Sequence, residues 1–160
     1  MVELVKVKEK EHLFIDMDGV LADFMEKASR YCFSEKTNVL VSEDELVKQV
    51  KALPGFFRDL KPVEGSIESV TELSKKYQIY ILSTPSWSNP SSWQDKRLWV
   101  EEHLGELGYK RLILCHNKGL FSGRALIDDR TKNGADKFKG EHILFGGPKF
   151  PGWKEVLDYL

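Results

Sequence analysis

The chain has 160 residues, which suits one domain and is enough for a sizeable core. Its 24 Lys and Arg against 25 Asp and Glu leave a net charge of -1, without the basic excess of a dedicated nucleic-acid binder. Two cysteines, Cys32 and Cys115, are too few and too far apart for a disulfide framework or a zinc cluster, and read as reduced thiols.

Residues 1–10 alternate apolar residues with Lys and Glu, the pattern of a weak edge strand or a frayed arm, and hold no apolar stretch long enough for a signal peptide. A first buried strand is predicted at Leu13-Phe14-Ile15, closed by Asp16-Met17-Asp18-Gly19. A helical pattern follows from Val20 to Tyr31, with Val20, Leu21, Phe24, Met25 and Ala28 apolar. Ser42-x-x-Glu45 then forms a capping box ahead of Leu46, Val47 and Val50. A helix over Glu64 to Tyr77 leads into Ile79-Tyr80-Ile81-Leu82 and Ser83-Thr84. Ser91 to Leu107 is helical again, followed by Leu112-Ile113-Leu114 and His116-Asn117-Lys118. Ala125-Leu126-Ile127 ends in Asp128-Asp129, Ile143-Leu144-Phe145 ends in Gly146-Gly147, and Trp153 to Leu160 is a last short helix.

Short runs that are apolar on both faces suit a parallel sheet covered by helices. The alternation predicts an α/β fold: a Rossmann-like, doubly wound, mostly parallel sheet. The stretch after the first strand has helical patterns and no strand, so a small helical cap is expected at about 21–60. The core is then about 11–20 and 61–160. No run approaches the roughly 20 apolar residues of a membrane span, and the expectation is a cytoplasmic protein with neither membrane nor nucleic-acid partner. Its oligomeric state stays open, a homodimer included.

In open parallel sheets, ligands bind at the carboxyl ends of the strands. Those ends collect Asp16, Asp18, Ser83, Thr84, Lys118, Asp128 and Asp129. Clustered carboxylates repel one another, so a divalent cation is needed to hold them ionised, and hard oxygen donors favour Mg²⁺. A phosphate would complete the charge balance, held by the lysine, the hydroxyls and the N–H groups of the turn after Asp16. In Asp-x-Asp, one carboxylate can act as nucleophile while the other donates a proton to the leaving group. An Asp-x-Asp-Gly taken alone is commonly a solvated turn; the later strand ends give it its meaning.

Asp16-Met17-Asp18-Gly19-Val20, Ser83-Thr84, Lys118 and Asp128-Asp129 resemble the four motifs of the haloacid dehalogenase superfamily of phosphatases. Asp18-Gly19-Val20-Leu21-Ala22-Asp23-Phe24, Pro54-Gly55-Phe56-Phe57 and Ile127-Asp128-Asp129-Arg130 further resemble the 5'(3')-deoxyribonucleotidase family. So do Trp99-Val100-Glu101, His103-Leu104-Gly105 and Glu141-His142-Ile143-Leu144-Phe145. The resemblance implies a Mg²⁺-dependent phosphatase acting on nucleoside 5'-monophosphates. Asp16 would be the nucleophile and Asp18 the general acid and base. Mg²⁺ would be held by the Asp16 carboxylate, the Asp18 carbonyl and Asp129, with Asp128 beside it. Ser83 and Thr84 would bind phosphoryl oxygens, and Lys118 would offset the charge of phosphate and nucleophile.

Phe24, Phe57 and Trp87 are candidate substrate contacts, and each has an equally good place in the core. The family's cap is longer and supplies aromatic residues, whereas Lys36 to Lys51 here is short, polar and without an aromatic. Two rivals stand beside the nucleotidase reading. One is a phosphatase of the same superfamily acting on another small phosphate ester. The other is a non-catalytic binding protein that keeps the fold.

Overall fold

Side-chain alternation along the strands sorts the apolar runs onto two faces of one sheet. The computed structural model describes residues 9–31 and 42–160. The expected N-terminal arm up to residue 8, Cys32 and the polar stretch up to residue 41 lie outside the described residues. Among the described residues five strands form the sheet: β1 His12–Ile15, β2 Gln78–Ser83, β3 Leu112–Leu114, β4 Ser122–Asp128 and β5 Lys139–Leu144. Their order is β3-β2-β1-β4-β5, and every pairing is parallel. Connections leave β1 toward β2 on one side and reach β4 on the other, which opens a crevice at its carboxyl end.

Five α-helices among the described residues accompany the sheet: α1 Phe24–Ser29, α2 Glu43–Lys51, α3 Ser66–Lys76, α4 Ser91–Leu104 and α5 Trp153–Tyr159. Leu13 and Ile15, Ile79 and Ile81, and Ala125 and Ile127 point into the larger core cluster, to which all five helices contribute. The intervening residues Phe14, Leu82 and Leu126 join a smaller cluster with Ala135 and Phe138. That second face is closed by short 3₁₀ turns and aromatic packing, with Phe14 stacked on Tyr80 and edge-on to Phe138. No helix among the described residues is long and apolar enough to cross a membrane.

The five expected strands are all present, and the capping box forms as expected, with Glu45 N donating to Ser42 Oγ at 3.3 Å. The helix expected from Val20 starts later, at Phe24. Gly19 turns the chain in the left-handed region at φ 81°, and Leu21 and Ala22 both donate to the Met17 carbonyl. Asp23 then caps the helix by accepting from Glu26 N. Phe145 is not part of β5; it bridges to Phe150, while its N–H donates to the Asp128 carbonyl.

Candidate active site

The site begins where β1 runs out. Asp16 N still donates to the Ile127 carbonyl at 2.8 Å, so the residue after the strand is held in register beside β4. The chain then turns sharply through Gly19. A Cβ there would lie 2.4 Å from Asp129 Oδ2, so this position needs glycine both for its positive φ and for the close approach of a carboxylate. The turn thus brings the end of β1 and the end of β4 into contact.

Lys118 enters from the loop after β3. Its N–H donates to the Asn133 carbonyl at 2.7 Å, and Asn117 accepts from Gly119 N, which fixes the turn. The buried ammonium donates to Asp16 Oδ1 at 2.7 Å and to Asp128 Oδ2 at 2.5 Å. Burial alone would pull the lysine down, but the two carboxylates outweigh it and hold it above its ordinary value. Asp128 spends its other oxygen on Arg130 N at 2.9 Å. Both of its oxygens are therefore committed.

Asp129 is different. Its Oδ1 is buried without a hydrogen-bond partner, and Oδ2 lies 3.7 Å from Arg130 Nε. Asp16, Asp128 and Asp129 each place an oxygen within a mutual distance of 4.8 Å. Burial first, and then the neighbouring carboxylates, push Asp16 and Asp129 up to about 6, although Lys118 and Arg130 act against this. Acids crowded together and short of donors are the setting a hard divalent cation satisfies. The residues fit such an ion: Asp16 and Asp129 have oxygens to give, and Asp128 is placed to brace the lysine.

Asp18 and Ser83 meet a residue that strand-end reasoning does not reach. Lys96, in the second turn of α4, is fully buried and donates to Asp18 Oδ2 at 2.6 Å and to Ser83 Oγ at 3.0 Å. Its ammonium also lies 4.8 Å from the centre of the Phe57 ring. A lysine on an amphipathic helix ordinarily faces water. The signal that could have found it is positional: Ser92, Lys96 and Trp99 fall on one stripe at helical spacing, and Trp99 is core.

The cleft above the acids is lined by Phe24, Thr84, Lys51, Arg130, Lys132 and Asn133, together with Asp16, Asp18, Lys118, Asp128 and Asp129. Thr84 Oγ1 is buried and has no partner, so a hydroxyl donor is available in the wall. The other three expected substrate contacts are placed elsewhere. The Ser83 hydroxyl is sealed from solvent and taken up by Lys96. Phe57 sits behind Phe24 at 6.0 Å in an aromatic cluster with Phe56, because the apolar interior under α1 and α2 claims all three rings. Trp87 is 80% exposed and packs edge-on against His116 and Trp93, off the cleft. His116 in turn donates to the Pro85 carbonyl at 3.1 Å, a loop brace rather than a ligand.

A parallel sheet with an aspartate after β1, a lysine after β3 and paired aspartates after β4 is the frame of a phosphoric monoester hydrolase. The family described as "5' nucleotidase, deoxy (Pyrimidine), cytosolic type C protein" matches residues 10–155, and the chain belongs to it. A protein of Vibrio phage KVP40, provisionally named a 5'(3')-deoxyribonucleotidase, is 49% identical over 155 residues, covering 97% of this chain and 87% of its own. The 5'(3')-deoxyribonucleotidase of Bacillus subtilis is 30% identical, with 87% of each chain covered. The cytosolic-type human 5'(3')-deoxyribonucleotidase is 32% identical over 83% of this chain and 78% of its own.

Proposed function

We propose that the protein is a Mg²⁺-dependent phosphatase that hydrolyses nucleoside 5'-monophosphates, deoxyribonucleotides foremost, in the cytoplasm. The observation that carries this reading is the division of labour among the acids. Asp16 is gripped by Lys118 through one oxygen, Asp18 keeps Oδ1 without a partner, and Asp129 holds an oxygen in reserve. The names of the relatives, deoxyribonucleotidases in phage, bacterium and human, support the substrate class.

The chemistry follows from those residues. Lys118 orients Asp16 and keeps it ionised in a buried setting. An Asp16 oxygen attacks phosphorus; the bond from phosphorus to the sugar oxygen breaks, and its electron pair stays on that oxygen. Asp18 gives the departing oxygen its proton, leaving the sugar hydroxyl and an aspartyl-phosphate. Ionised Asp18 then takes a proton from water as the water oxygen attacks phosphorus. The phosphorus–Asp16 bond breaks, inorganic phosphate leaves, and both carboxyls regain their starting states. Thr84 Oγ1 and the N–H groups of the turn after Asp16 hold the phosphoryl oxygens. Asp16, the Asp18 carbonyl and Asp129 would hold Mg²⁺, which when bound neutralises charge between the carboxylates and the phosphate. Phe24 provides the apolar wall for the base. In this reading α1 and α2 form a small cap over about 21–60, above a core of about 11–20 and 61–160.

The test is a phosphate-release screen with Mg²⁺ across deoxyribonucleotides, ribonucleotides and sugar phosphates, with Asp16→Asn alongside. Release should be fastest from nucleotides, and Asp16→Asn should abolish it while still binding substrate. Sugar phosphates hydrolysed as fast as nucleotides would move the reading to another phosphate ester. Nucleotide binding with no release by the unaltered protein would make it a binding protein.

A further inference from the structure

Lys96 is a fully buried cation that makes two hydrogen bonds and faces an aromatic ring. One goes to Asp18 Oδ2 at 2.6 Å, one to Ser83 Oγ at 3.0 Å, and the ammonium faces Phe57. Burying an ammonium costs several kcal/mol unless it is paired and hydrogen-bonded, so a lysine held this way is a built feature. It does not line the cleft. It therefore acts through its partners, and its carboxylate partner is the residue that hands over the proton.

We infer that Lys96 is the positioning residue for proton transfer, pinning Oδ2 of Asp18 so that Oδ1 stays free to serve the leaving group. Three observations converge on this. The two oxygens of Asp18 are used unequally, with Oδ2 bound by Lys96 and Oδ1 unpartnered. Ser83, the last residue of β2, anchors the lysine from the rigid sheet rather than from a loop. Phe57, itself 1% exposed, closes the remaining side of the ammonium with its ring face. The Asp18 carboxylate, which sits on a turn and could otherwise swing toward Asp16 and Asp129, is thereby tied back to α4. Ser83 in this arrangement is a support for Lys96 and not a phosphate ligand.

The inference rests on Asp18 being the general acid, and the experiment separates the two. kcat/KM reports the steps up to departure of the leaving group. It should be measured for a nucleoside monophosphate, whose sugar alkoxide needs a proton, and for p-nitrophenyl phosphate, whose phenolate does not. Asp18→Asn should lose roughly 10²–10⁴-fold on the nucleotide and much less on the aryl ester. Lys96→Met should show the same leaving-group bias at about 10–100-fold, the size expected from misplacing a catalytic group by around an ångström. Ser83→Ala, a smaller change that keeps the lysine, should show the bias at about 3–10-fold, and it carries the test if Lys96→Met fails to fold. Adding Lys96→Met to Asp18→Asn should cost nothing further on the nucleotide.

Equal losses on both esters in Lys96→Met and Ser83→Ala would overturn the positioning role, pointing to fold damage or direct phosphate contact. Unchanged kinetics in both would overturn it as well. If Asp18→Asn itself shows no leaving-group bias, the general-acid assignment fails first, and the role of Lys96 fails with it.

Discussion

Replacing Lys118 with Met is the sharpest test of how the site is held together. The lysine is 2% exposed and bridges two buried carboxylates at 2.7 and 2.5 Å. At those separations each attraction is about 6 kcal/mol gross with an effective dielectric near 20. Much of that is offset by the desolvation of three charged groups. Removing one partner of a buried ion pair typically costs about 3–5 kcal/mol, because the remaining charges lose their counter-ion. For a domain of this size that corresponds to a fall in Tm of about 6–20 °C. The loss also depends on pH. Without the ammonium, Asp16 and Asp128 rise further above the ordinary carboxylate range, so the folded state takes up protons that the unfolded chain does not. The variant should then be damaged least in mild acid and most above neutrality. Thermal melts of the variant and the unaltered protein, in chelator and across that range, give the comparison. A Tm difference that is negligible, or that shrinks as pH rises, refutes the reasoning that Lys118 neutralises two buried acids.

The remaining expectations concern the acids, the turn and the tie between α2 and the loop after β2. In metal-free protein, Asp16 and Asp129 sit at about 6 against an ordinary 3.8, through burial and their neighbours. Their folded values are raised, so their contribution to stability is full below about pH 4 and is lost as pH climbs through 6, by roughly 3 kcal/mol per group. Melts in EDTA should show that decline, Asp129→Asn should lessen it, and added Mg²⁺ should raise Tm more at neutral pH than in acid; a pH-independent Mg²⁺ effect would contradict the scheme. Gly19→Ala drives a Cβ to 2.4 Å from Asp129 Oδ2 at a φ of 81°. It should cost about 1–2 kcal/mol of stability and at least about tenfold in Mg²⁺ affinity by titration calorimetry, and unaltered affinity would separate the turn from the acid site. Asn89, 2% exposed, donates to the Lys51 and Leu53 carbonyls at 3.1 and 2.9 Å and so ties the end of α2 to the loop after β2. Asn89→Ala should lose about 1–3 kcal/mol in denaturant melts and raise KM for nucleotides, since Lys51 lines the cleft; an unchanged melt would mean the tie carries no load.

The strands were legible because a buried parallel strand is a short apolar run with polar ends, and that pattern is local. Leu13 to Ile15, Ile79 to Leu82 and Ala125 to Ile127 all fall inside observed strands. Their polar ends supplied the candidate acids and the lysine for the same reason. The start of α1 was less legible, because the apolar residues Val20 to Ala22 fit helical spacing yet are used by a turn that Gly19 and Asp23 define. The aromatic residues were least legible. Phe24, Phe57 and Trp87 differ only in where packing leaves them: in the cleft wall, behind it, and out in solvent.

By itself the sequence determined which groups were available at the carboxyl edge and in what order along the chain they occur. Periodicity and strand ends are properties of neighbouring residues, so no tertiary information was needed. Only the tertiary structure decided how the charges divide. Lys118 reaches Asp16 across 102 positions and Lys96 reaches Asp18 across 78, and such pairings leave no trace in local pattern. Lys118 also donates to Asp128, whose other oxygen accepts from Arg130 N, so both Asp128 oxygens are committed, and Lys96 pins one oxygen of Asp18. Asp18 Oδ1 and Asp129 Oδ1 are left unpartnered. A buried charge must find its counter-charge wherever the fold places it, and that requirement separates four similar aspartates into four different positions.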